Sequence, residues 1–139
     1  MQPKSSFLPE FKHTTMRVKI DTKEAFHVIS IEESALTANM AEELSSILAK
    51  KQQDDPKNLI INLNKVTQLD ATVALLMKKI HQEMYGEKKS FVLCGLTPEV
   101  KNEFGDLGLL EMINHTPTES EAYDIVLMEE IERELDSDL

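Results

Sequence analysis

The sequence predicts one α/β domain, a mixed β-sheet of four to five strands packed with about four helices. Three observations carry this. Segments of period two alternate with segments of helical period. Two short runs, NLIINL at 58–63 and SFVLC at 90–94, are apolar almost throughout, as strands covered on both faces are. The first two strand-like segments are joined by a few polar residues, a hairpin that makes an otherwise parallel sheet mixed. The predicted order is β-β-α-β-α-β-α-β-α.

Residues 1–15 carry Pro3, Pro9 and no periodicity, and are expected to be a flexible extension. Residues 17–21 (RVKID) alternate strictly and predict a strand with one wet face. Residues 26–31 (FHVISI) predict its hairpin partner. Leu36, Met40, Leu44, Ile47 and Leu48 recur at helical spacing. Thr37 or Asn39 suits the cap of that helix, Glu42 and Glu43 suit its start, and Lys50 and Lys51 suit its end. Asp54-Asp55-Pro56 stops it. After the 58–63 strand, a loop at 64–70 leads into a helix striped by Val73, Leu76, Met77, Ile80 and Met84 and closed by Gly86. The 90–94 strand turns through Gly95–Pro98 into a short helix at 99–104, which Gly105 and Gly108 are expected to break. A last short strand is expected near 112–115. Thr118, with Glu121 three residues on, forms a capping box for the final helix. That helix carries Ala122, Ile125, Val126 and Glu129 and, less regularly, Tyr123, Leu127, Ile131 and Leu135.

A chain of 139 residues buries a core without disulfide or metal. Its single cysteine, Cys94, forms no internal disulfide, which fits a reducing compartment. No apolar stretch nears the roughly 20 residues of a membrane span, and the N-terminus lacks a signal peptide's apolar centre. The expected location is the cytoplasm, with no membrane attachment. The net charge of −10 argues against nucleic acid. Residues 119–139 hold nine acids and one base, Arg133, a net −8. This acidic end reads as a solvated helix face, a cover for the sheet, an arm for a basic partner, or a dimer contact through Ile131 and Leu135. The expected state is a monomer or weak homodimer.

Catalytic signatures are missing. The chain holds no HExxH, no Cys-x-x-Cys, no glycine-rich phosphate loop and no Gly-x-Ser-x-Gly. His13, His27, His81 and His115 fall on separate segments, so neither a metal nor any other cofactor is expected. Cys94 reads as a small core residue rather than a nucleophile. One place stands out, the loop from Lys65 through Gln68 to Asp70 and Thr72, which links a central strand to a helix. In open α/β sheets the functional crevice forms where strand ends meet helix starts. Asp70 is placed to cap the helix, and Thr72 falls in its first turn. A phosphate there would meet free backbone N–H groups.

The segments NLIINLNKVTQLDATVALLMKKI and SFVLCGLTPEVKNEFGDLGLLEMI resemble the STAS domain, named for sulfate transporters and anti-sigma factor antagonists. That pattern is an apolar strand, a loop ending in Asp-Ser-Ser/Thr-Gly, an amphipathic helix, a strand, a Pro-Glu-Val helix start and a Gly-Leu pair. FHVISIEESALTANMAEEL is similar to the family's second strand and first helix. The resemblance spans 16–128 and leaves 129–139 as an acidic helix end. It implies a non-enzymatic module that binds an anti-sigma factor, often an ATPase-like serine kinase. In the family the kinase phosphorylates the serine directly after the Asp, and the phosphodomain lets go. Here that position is Ala71, which has no hydroxyl, and Val73 replaces the glycine. Either Thr72 takes the phosphate or the domain is not switched there. Thr72 is turned about 100° around the helix from the usual position, which favours the second. The resemblance places the partner surface on Lys65, Gln68, Asp70, Ala71, Thr72 and Val73, with Lys78, Lys79 and Gln82 on the wet face beyond. The other reading is a small-ligand-sensing STAS domain, which calls for a pocket near Asp70.

Overall fold

Four of the five residues of β1 (Val18–Thr22) are exposed, and β1 is accordingly an edge strand. The computed structural model describes residues 16–137, so the extension expected at 1–15 lies outside the described residues. In chain order, β1 is followed by β2 (Phe26–Ile31), β3 (Ala35–Leu36), α1 (Ala41–Gln52), β4 (Asn58–Asn62), β5 (Gln68–Leu69), α2 (Ala71–Gly86), β6 (Phe91–Cys94), α3 (Pro98–Asp106), β7 (His115–Thr116) and α4 (Glu119–Ser137). The main sheet runs β1-β2-β4-β6-β7. β1 pairs antiparallel to β2, with Ile20 opposite Ile29, and the other neighbours are parallel. The expected mixed sheet and four helices are present.

The two apolar runs are buried on both faces for the reason their composition suggested. On one face Ile29, Ile31, Leu59, Ile61, Phe91 and Leu93 pack against Leu44, Leu48, Val73, Met77, Met84 and Phe104 of α1, α2 and α3. On the other, Phe26, Val28, Ile60, Val92 and Cys94 meet Ala122 and Val126 of α4. Three helices thus cover one face and a single helix covers the other.

Several boundaries differ from the sequence expectation. Residues 38–40 form a 3-10 turn before α1, and the Thr37 side chain makes no capping hydrogen bond. Gly105 lies inside α3, and the break falls at Gly108, whose φ of 71° only glycine adopts freely. The Thr118–Glu121 box forms, with the Glu121 N–H donating to Thr118 Oγ1 at 3.2 Å. Leu36, expected on the stripe of the first helix, and residues 68–69, expected to be loop, instead build a second, two-stranded sheet, with β3 pairing parallel to β5, Ala35 opposite Gln68 and Leu36 opposite Leu69.

Candidate functional site

The loop after β4 leaves the sheet at the C-terminal ends of the parallel strands. Its anchor is Val66, fully buried, with the Val66 carbonyl accepting from Thr97 Oγ1 at 2.7 Å. The loop then runs beside residues 34–36. The N–H groups of Thr67 and Gln68 donate to the Ser34 carbonyl at 2.8 and 3.1 Å, and the Asp70 N–H donates to the Leu36 carbonyl at 2.9 Å. Lys65 is tied to Glu32 at 2.7 Å, and that ammonium holds the Glu32 carboxyl below its usual range. Backbone pairing therefore fixes the loop before any partner arrives, while Lys65, Thr67, Gln68 and Asp70 remain exposed.

Asp70 caps α2. One carboxylate oxygen accepts from the Thr72 N–H at 2.8 Å, satisfying one of the free donors at the helix start. That bond and the Thr72 hydroxyl hold the Asp70 carboxyl below the usual carboxylate range. Because its pKa is depressed on folding, Asp70 contributes stability above about pH 4, and that contribution is lost as pH falls through the folded pKa. Asp70→Ala is expected to lower Tm by about 3–6 °C at pH 7. The difference from wild type should shrink as the pH is taken from 5 to 3; a constant difference across that range refutes the assignment.

The candidate residues separate by burial. Thr72 is exposed, Ala71 is half-buried, and Val73 is fully buried in the core. Of the expected surface residues, Val73 thus supports α2 from beneath, its side chain buried in the core. Lys79 and Gln82 are exposed and Lys78 is half-buried. Leu75, off the expected apolar stripe, is 48% exposed and lies one turn beyond Thr72 on the same outward face. The 3-10 turn packs beside α2, so exposed Thr37, Ala38 and Asn39 extend this face. Leu75 carried a sequence signal, an apolar residue out of phase with its helix stripe, whereas the 37–39 turn carried none.

Cys94 is buried, and burial, with Glu119 nearby, pushes its thiol up to about 12. Among the described residues no group of three or more His, Cys, Asp or Glu side chains is placed to hold a metal, and no helix is long and apolar enough to cross a membrane. A cavity of about 640 Å3 is lined by Asp55, Lys57, Asn58, Lys88 and Arg133 among others. Another of about 220 Å3 is lined by Leu96, Lys101, His115, Thr116 and Pro117. Neither includes a residue of the Lys65–Thr72 segment.

The loop at the strand ends thus leads into an Asp-capped helix with an exposed outer face. A family model of the STAS domain matches residues 17–122. The chain belongs to the STAS domain family. No curated protein matches the sequence. Among solved structures, the STAS chain is similar to an anti-sigma factor antagonist from Mycobacterium paratuberculosis, with TM-score 0.71 and 18% identity over 81% of this chain and 94% of that one. It is also similar to an anti-sigma-factor antagonist (STAS) domain protein from Planctomyces limnophilus, with TM-score 0.67 and 20% identity over 81% and 97% of the two chains. The unphosphorylated anti-sigma factor antagonist SpoIIAA gives TM-score 0.64 and 20% identity over 79% and 96%. At these identities the shared feature is the fold.

Proposed function

We propose that this STAS domain is a non-enzymatic regulator of the anti-sigma factor antagonist kind, working in the cytoplasm. Its partner is an anti-sigma factor, of the ATPase-like serine kinase type. The docking surface is Lys65, Gln68, Asp70, Ala71 and Thr72 with the outer face of α2. One observation carries this reading: backbone pairing to Ser34 and Leu36 holds exposed Lys65, Gln68, Asp70 and Thr72 in one open surface, with Leu75 partly exposed beside Thr72. Leu75 adds apolar area to an otherwise polar surface, and a docked partner would remove that area from water. Family membership and the anti-sigma factor antagonists among its structural relatives support the same reading.

Ala71 makes the surface constitutive. It stands where the resemblance puts the phosphoacceptor serine, and it offers no oxygen to a kinase. Thr72 is one residue on, with its N–H donating to Asp70. A phosphate on its hydroxyl would set about −1.5 to −2 charges against that carboxylate. The domain therefore stays in its binding state, and control falls to its abundance or to another surface.

The test is capture from the cytosol of the source organism with the tagged full chain as bait. The expected prey is an ATPase-like serine kinase or another anti-sigma factor. Thr72→Glu and Leu75→Ser should each weaken its binding at least tenfold, equivalent to about 1.4 kcal/mol or more. Incubation with the captured kinase and ATP should leave Thr72 unmodified. Failure to capture such a protein with folded bait, or capture indifferent to both variants, overturns the docking surface. Stoichiometric phosphate on Thr72 overturns the constitutive state.

A further inference from the structure

The outer face of α4 has a composition that solvent exposure does not explain. Its inner face is used up: Ala122 and Val126 are buried against the sheet, and Glu129, Glu130 and Arg133 bond to Ser90 and Asn58. Directly opposite, Leu127, Met128, Ile131 and Leu135 are 45%, 60%, 56% and 62% exposed. They are four of the seven large hydrophobic residues exposed among the described residues, gathered within nine positions of one helix. Met128, Ile131 and Leu135 follow the three-four spacing of a coiled-coil seam, and Leu127 flanks it. Exposed Glu132 and Glu134 flank the seam, exposed Glu121 and Asp124 continue its line toward the start of the helix, and α4 as a whole carries eight acids against one arginine.

We propose that this face is a second docking surface, and that its occupant is a basic amphipathic helix of a partner protein. The apolar seam selects a helix, because only a helix repeats its side chains at this spacing. The acidic borders select its charge. A second copy of α4 would bring two strongly acidic helices together, and like charges at the flanking positions of a seam disfavour pairing. A basic helix instead pairs its lysines and arginines with the borders while its apolar stripe covers Ile131 and Leu135. The surface lies on the sheet face opposite α2, so the domain is able to hold one protein at the loop and another here. This inference does not depend on what binds at α2.

The probe is a fluorescent three-heptad peptide with leucine at a and d and lysine elsewhere, titrated with the full chain at physiological salt. Expected are micromolar binding and a gain of helical signal. The same peptide with its leucines scrambled should bind at least tenfold more weakly, since charge alone is then left. Ile131→Ser with Leu135→Ser removes the seam without changing charge, and both sites are exposed, so the fold should persist and binding should fall at least tenfold. Met128→Ser repeats the test one turn earlier, and Leu75→Ser should leave binding unchanged. Equal affinity for the ordered and scrambled peptides overturns the proposal, as does binding indifferent to the serine variants. A concentration-dependent dimer in sedimentation that the double variant abolishes also overturns it, by making a second copy the occupant.

Discussion

Replacing Glu129 with alanine is expected to destabilise the domain by about 3 kcal/mol. The Glu129 carboxylate is half-buried under α4 and accepts from Tyr85 OH at 2.6 Å, Ser90 Oγ at 2.6 Å and Asn114 Nδ2 at 3.2 Å. Asn114 also donates to Tyr85 OH at 2.6 Å, and the His81 ring stacks on Tyr85 with centroids 4.5 Å apart. Burial and the carboxylate together push the Tyr85 phenol well above its ordinary range, so it stays a donor. Alanine would leave three donors, one of them on fully buried Ser90, without their acceptor. Unmade hydrogen bonds of buried groups cost more than made ones gain. Glu129→Gln keeps an acceptor oxygen and should lose less. Urea unfolding with unchanged slope and a lowered midpoint is the expected readout; a loss below about 0.5 kcal/mol for alanine would show that the Glu129 hydrogen bonds contribute nothing to holding α4.

Gly95→Ala is expected to cost about 2 kcal/mol and to weaken partner binding as well. Gly95 follows β6 with φ of 70°, where a side chain is strained. A Cβ there would lie 3.0 Å from Asn64 Cβ and 3.2 Å from Asn62 Oδ1. Asn62 is not free to yield, since its Oδ1 accepts from the Asn64 N–H at 2.9 Å and its Nδ2 donates to Glu119 at 3.2 Å. The displaced turn is the one that leads into Lys65 and the docking loop. Gly108→Ala is the control: its φ is similar, yet nothing lies within 4 Å of the added Cβ. If both variants lose stability equally and partner binding is untouched, backbone strain alone is at work and the contact with Asn62 and Asn64 carries nothing.

Much of this was legible in the chain because it depends on local periodicity. The runs at 58–63 and 90–94 read as covered strands by their length and composition, and the stripe from Val73 to Met84 reads as the inward face of a helix. Asp70 was placed as a cap because helix starts leave donors that a short acidic side chain satisfies two residues on. The absent hydroxyl at Ala71 and the acidic end were read directly. The candidate loop is marked in the sequence by its position between a strand and a helix, and Leu75 only by being apolar and out of phase with the buried stripe.

What only the tertiary structure decided is pairing at a distance. β3 and β5 are two residues each, too short to show a period, and they exist because the loop's N–H groups need acceptors and find them at Ser34 and Leu36. Glu129, Glu130 and Arg133 look like ordinary charges of an acidic helix, and they face inward because Asn58, Tyr85, Ser90 and Asn114 wait beneath α4. Those partners lie 15 to 75 positions away in the chain. Which side of α4 stays dry and which is left exposed is therefore a consequence of the sheet it lands on, since helical spacing sets where a stripe runs and only packing sets which stripe is buried.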